Sequence, residues 1–288
     1  MKFRKSGIHD PNALDLPRRV QPIELAKRSP WKRLNLLLEN VKKRKPEALP
    51  RYVASLQQQY EALTNSDLVK ENSIDISDYL AEFNLLREFP ELASNNLNYF
   101  LHTLQPPEGT DLENDTIEVP QRNQLRAVLC PKYQNIFVLT ETIDRGEAIE
   151  LYKIYHDEFM SAERSSLEDQ YETLDEFADR RNQVDAKENP GLVRIISEVK
   201  DGKLYLRKDT CLWNDAIEDL EDQELKYYVC CYGDFESARQ ANKHFALTME
   251  HTIIEGHPYC DAVFHDTRIS KDLSHPSDEF FARMEPET

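Results

Sequence analysis

Through residues 20–105 the apolar positions recur at spacings of three and four, the period of a helix with one buried side. Leu34, Leu37, Leu38 and Val41 form one such stripe, and Ser29-Pro30 ahead of it supplies a start signal. Comparable stripes run through Leu49, Val53, Leu56, Tyr60 and Leu63, and through Ile76, Tyr79, Leu80, Phe83 and Leu86. Another begins near Pro90 and carries Leu92, Leu97, Phe100 and Leu101. The pattern predicts a helical region over 21–105. It stops at 106–121, where prolines, a glycine and acidic residues crowd together in a connector. Leu125 to Thr142 is apolar enough to suit either a strand or a helix. Ala148, Leu151, Ile154, Tyr155 and Phe159 restore the helical period, and Glu163 to Glu188 is a charged helix or loop.

The pattern changes after residue 190. Leu192–Val199 and Leu204–Leu206 flank Asp201-Gly202, a pair suited to a type I′ hairpin because both central residues must accept positive φ. A short helix is expected over Trp213–Leu220. Tyr227 to Tyr232 is rich in strand formers, and Asp234 sits where a following helix would be capped. Two more strands are expected at His244–Ile254 and Cys260–Asp266, around a turn at Gly256. The fold class is therefore α+β: an N-terminal helical region, then an antiparallel sheet flanked by helices over 122–288.

Charge adds a further division. The net charge of −17 splits into +9 over residues 1–51 and −26 over the remainder. Residues 1–20 read as a basic arm whose loss should leave the α+β domain folded. A strongly acidic body repels phosphate, so nucleic acid is not an expected partner. No run approaches the roughly 18 apolar residues of a membrane span, and the N-terminus lacks the apolar core of an export signal. A cytoplasmic protein acting on a small molecule, without a membrane partner, is expected. Neither an oligomeric state nor a cofactor can be assigned.

Candidate chemistry lies near the C-terminus. Five cysteines, an odd number with two adjacent, argue against a disulfide framework. Four of them (Cys211, Cys230, Cys231 and Cys260) share one short window with His251, His257, Asp261 and His265. On a strand, Cys230 would point away from Cys231. The ordered pattern Cys211-x-Trp213, Cys231-x-x-Asp234, Asn242-x-x-Phe245, Thr252-x-x-x-Gly256 and Cys260-Asp261 resembles the L-2-amino-thiazoline-4-carboxylic acid hydrolase family. The likeness extends over about Thr140 to Thr267. Met249 stands where that family commonly has an arginine.

The resemblance implies hydrolytic opening of a cyclic isothiourea that bears a carboxylate. Such chemistry requires a nucleophile, a proton donor and a cation. Cys231, Asp234, Cys260 and His251 are the catalytic candidates, with Cys231 or Cys260 as the nucleophilic thiolate. Arg239, Asn242, Thr252 and Asp261 are the substrate-binding candidates, with Arg268 a second choice of cation. Zinc held by Cys211, Cys231, Cys260 and a histidine or aspartate is an alternative. The spacing lacks a CxxC pair, so no metal ligand is assigned. A scaffold or ligand sensor that keeps the fold without the activity is the competing reading.

Overall fold

The computed structural model describes residues 1–64, 68–71, 74–164, 170–180 and 191–286. It divides into two compact units, one of residues 15–159 and one of residues 1–14 with 160–288.

In the first unit the short helix α1 (Pro22–Ala26) runs through a π-helical stretch, Lys27–Trp31, into α2 (Lys32–Arg44). The wider turn takes in Pro30, which could not donate to a regular helix. Next come α3 (Leu49–Leu63), the single turns α4 (Leu68–Glu71) and α5 (Ser77–Leu80), and α6 (Pro90–Leu104). The 22-residue α7 (Gln121–Thr142) and α8 (Arg145–Arg164) complete the helices; α8 runs past residue 159 into the second unit. The expected stripes are core: Leu34, Leu37, Leu38, Val41, Leu56, Tyr60, Leu97 and Phe100 are fully buried. Tyr60 shows how the polar ends of buried side chains are satisfied. Its hydroxyl donates to Asn135 Oδ1 at 2.7 Å and accepts from Asn96 Nδ2 at 2.9 Å.

The second unit is built on a five-stranded, wholly antiparallel sheet. Its strands are β1 (Phe3–Ser6), β4 (Arg194–Ser197), β5 (Lys203–Lys208), β6 (Phe245–Thr248) and β7 (Cys260–Asp266), in the order β1-β4-β5-β7-β6. The remaining strands, β2 (Pro17–Val20) and β3 (Ile117–Pro120), pair with each other in the first unit. Asp201 (φ 51°) and Gly202 (φ 73°) make the expected tight hairpin between β4 and β5. Helix α9 (174–180) and α12 (Gly233–Ala241) cover one face. There Phe177, Ala238 and Ala241 pack with Leu204, Leu206, Leu247, Ala262 and Phe264. The helix α13 (Asp278–Ala282) covers the other, where Phe281 and Met284 pack on Ile195 and Val263. The fold class is the α+β arrangement of helical region and flanked antiparallel sheet expected above.

Several expectations are corrected. The basic segment 1–20 is not a separate arm: it supplies β1 to the sheet of one unit and β2 to the other. The connector 106–121 ends in strand β3; Leu125–Thr142, which suited either element, lies in the helix α7. Tyr227–Tyr232 forms no strand. Asp222 caps the helix α11 (Gln223–Cys230) by accepting from Leu225 N, and Leu225, Lys226 and Val229 supply a buried helical stripe. Cap and period together override the strand preference of Tyr and Val. The fourth strand of the expected set shrinks to Phe245–Thr248, because Thr252 caps a 3-10 turn at Ile253–Glu255. Within the charged stretch Glu163–Glu188, residues 165–169 and 181–188 lie outside the described residues.

Since β1 forms a ladder with β4 and Phe3 packs edge-on to Phe280, deleting residues 2–6 exposes a sheet edge and an aromatic contact. The deletion should lower the melting temperature by about 3 °C or more. An unchanged melting temperature would restore the detachable arm.

Candidate functional site

Antiparallel register sets Arg194, the first residue of β4, opposite Lys208, the last of β5, and Lys208 opposite Cys260, the first of β7. Side chains alternate along β7, so Cys260 shares a face with Ala262 and Phe264, while Asp261 shares the opposite face with Val263. The first face ends in a cavity of about 290 Å³. Leu192, Arg194, Lys208, Thr210, Cys211 and Trp213 form part of its wall, and Cys230, Cys231, Asp234, Met249 and Cys260 the remainder.

Each wall residue is held by a local device. The chain leaving β5 is pinned by Thr210, whose hydroxyl donates to Gly191 O at 2.7 Å and accepts from Val193 N at 2.8 Å. Cys211 caps the helix α10 (Leu212–Ala216), its Sγ accepting from Asn214 N at 3.4 Å. Cys230 and Cys231 stand at the C-terminal end of α11, where a helical turn lets both border the cavity. The expectation that Cys230 faces away is therefore overturned, because it rested on strand alternation. Asp234 lies in the first turn of α12 but does not cap it; its Oδ2 instead receives Lys208 Nζ at 2.9 Å. Cys260 Sγ accepts from Ile253 N at 3.2 Å.

The thiols rest protonated. Burial, then the neighbouring Cys260, raises the Cys211 pKa to about 11. Burial, then Asp234 and the neighbouring thiols, lifts Cys231 well above the usual range. Cys260 is raised by burial too, but Lys208 and the Ile253 N–H pull the other way. Of these three, Cys260 is the thiol whose surroundings support a thiolate most directly.

Of the catalytic and substrate-binding candidates, Cys231, Asp234 and Cys260 meet in the cavity, together with Cys211 of the zinc alternative, and the others do not line it. Arg239 is half exposed and donates to Glu236 at 2.6 Å. Arg268 grips Asp266 through two hydrogen bonds, of 2.9 and 2.6 Å. Asn242 ends α12, donating to Tyr171 O and accepting from His244 N. Thr252 caps its turn and donates to Glu255. Asp261 and His251 lie on the opposite face of β7, with His251 Nδ1 2.7 Å from Asp261 Oδ2. Burial alone would raise the Asp261 pKa, but His275, the backbone N–H groups of His251 and Glu250, and the His251 ring bring it down to about 2.

The cations of the cavity, Arg194 and Lys208, were not anticipated. Their pairing does not follow from the turn alone: the Lys200–Lys203 bridge around Asp201-Gly202 would set Arg194 opposite Asp209, and a one-residue offset between turn and ladder brings Lys208 opposite it instead. Arg194 is 4% exposed, which makes it a buried charge in the cavity wall. Among the described residues, the cavity cysteines form no cluster of three ligand atoms within 4.8 Å of one another.

Residues 132–264 match the family model of L-2-amino-thiazoline-4-carboxylic acid hydrolase. That span includes every residue lining the cavity, and leaves out β1, the last two residues of β7 and α13. No curated protein and no solved structure gives a significant match to the chain.

With a pKa near 11 against a reference of 9.0, Cys211 should carry about a hundredfold less thiolate than an ordinary cysteine around pH 7.5. Alkylation by iodoacetamide, resolved by peptide mass, should be slow at Cys211 and Cys231 and should accelerate as pH rises past 9. A rate at either residue equal to that of free cysteine would contradict the protonated state.

Proposed function

We propose that the cavity is the active site of a small-molecule hydrolase that opens a cyclic amidine or isothiourea bearing a carboxylate. The observation that carries this reading is the meeting of Cys231, Asp234 and Cys260 with Arg194 and Lys208 in one hollow of about 290 Å³. The family match supports hydrolase character for the span that builds it. A small, partly apolar cavity with a few convergent polar groups is the usual form of such a site. No helix among the described residues is long and apolar enough to cross a membrane.

In this reading Arg194 and Lys208 receive the substrate carboxylate, and Asp234 faces the amidine. The amidine is itself a base and takes the Cys260 proton onto its ring nitrogen, leaving a thiolate beside Lys208 and the Ile253 N–H. The thiolate electron pair forms a bond to the amidine carbon. The ring carbon–sulfur bond then breaks, its electron pair leaving on sulfur, which takes a proton from the new amidinium. Water adds to the carbon held on Cys260, and Cys260 departs with its bonding pair and the hydroxyl proton. One water is consumed, and a carbamoyl product with a free thiol is released.

Met249 favours a second reading, a ligand sensor without turnover, since an apolar side chain lines the cavity there. Turnover of 2-amino-thiazoline-4-carboxylate, followed by release of thiol, separates the two. The natural protein should release thiol, and Cys260→Ser should lower kcat by roughly 100-fold or more. Binding by calorimetry without thiol release would support the sensor, and absence of both would remove the substrate class.

Lys208→Gln provides an independent check on orientation. It should raise KM for the carboxylate substrate about 10-fold, the equivalent of about 1.4 kcal/mol, and leave KM for 2-amino-thiazoline, which lacks the carboxylate, unchanged. An equal effect on both substrates would remove Lys208 from the carboxylate subsite.

A further inference from the structure

The face of β7 opposite the cavity carries its own cluster of ligating groups. His251 Nδ1 lies 2.7 Å from Asp261 Oδ2 and 3.3 Å from Asp278 Oδ1, and the three donor atoms all fall within 4.8 Å of one another. They come from three segments: the loop after β6, the strand β7, and the first residue of α13. Each is anchored from outside the cluster. Asp261 Oδ1 accepts from the backbone N–H groups of Glu250 and His251, which fixes the carboxylate and leaves Oδ2 turned toward the ring. Tyr259 donates to the backbone carbonyl of Asp278, and Phe281 is fully buried beneath α13.

A second observation points to a ligand here. The His275 side chain is 3% exposed, and its Nε2 approaches Asp261 Oδ2 to 3.2 Å without the alignment of a hydrogen bond. Its other nitrogen is engaged with Thr248 Oγ1 at 2.9 Å, which fixes the ring. A buried ring nitrogen thus lies 3.2 Å from the carboxylate oxygen that also faces His251. Positive charge placed among these atoms relieves that arrangement.

We propose that His251, Asp261 and Asp278 bind a divalent transition-metal ion, with His275 positioned against the Asp261 ligand. One imidazole with two carboxylates suits zinc, manganese, iron or cobalt better than magnesium or calcium, which favour all-oxygen shells. A tetrahedral ion with bonds of about 2.1 Å sets its donors about 3.4 Å apart. The 3.3 Å pair already has that separation, and the 2.7 Å pair must open by several tenths of an ångström. Asp278 is 68% exposed, which leaves an open side for the ion to enter and for water to complete its shell. The ion would tie α13 to the loop between β6 and β7, the loop that carries Met249 and Ile253. The site is separate from the cavity and holds whichever way the cavity's function is decided.

Cobalt(II), added to the full-length reduced protein, is the probe, because its spectrum separates nitrogen and oxygen ligands from sulfur. Binding should give visible d–d bands without the near-ultraviolet charge-transfer band of a cobalt–thiolate bond. Asp278→Asn and His251→Gln should each weaken that binding by about 100-fold or more. The exposed position of Asp278 makes its variant safe for folding, so loss of affinity there reports on ligation. A sulfur charge-transfer band with affinity unchanged in both variants would move the ion to the cysteines and overturn the proposal. No binding up to millimolar cobalt would also overturn it, leaving His251 and the two aspartates as an ion pair bridged by a proton.

Discussion

The antiparallel register across β4, β5 and β7 is the constraint on which the rest of the site depends. It places Arg194, Lys208 and Cys260 in a row at one end of the sheet, on the face that α9 and α12 cover. The ladder register fixes that row, since a slip of one residue in any of these strands would turn its side chain to the other face. Gly202 has little freedom to change: a Cβ there would lie 2.8 Å from Ile269 Cβ, and its φ already disfavours a side chain.

Alternation along β7 then separates two kinds of chemistry. Cys260 enters a cavity of thiols and cations, whereas Asp261, its neighbour, enters a cluster of histidines and carboxylates. Read as a linear motif, Cys260-Asp261 looks like one site. On a strand, adjacent residues face opposite ways, and the pair belongs to two. His251 follows Asp261 for the same reason, through the 2.7 Å contact that the loop after β6 permits.

Much of the fold was legible from sequence because its signals are local. Helical stripes, the Asp-Gly hairpin and the strand Cys260–Asp266 follow from periodicity and turn chemistry, which do not depend on distant partners. Tyr227–Tyr232 misled because strand propensity spoke louder than the cap at Asp222. The role of residues 3–6 was hidden because their partner, β4, lies almost two hundred residues away. At the site, Cys231, Asp234 and Cys260 were recognisable as a group, but their cations were sought further along the chain. Arg239 and Arg268 are committed to Glu236 and Asp266, and the cavity's cations instead come from the hairpin.

In the resting cavity burial keeps the thiols protonated, and Lys208 is held by Asp234. In the proposed reaction the substrate brings a carboxylate to Arg194 and Lys208 and a basic amidine to Cys260. The most direct measurement is a crystal structure of the protein soaked with 2-amino-thiazoline-4-carboxylate. The carboxylate should lie against Arg194 and Lys208, with the amidine carbon within reach of Cys260 Sγ. A ligand bound elsewhere, or seated with its carboxylate turned away from both cations, would contradict this placement.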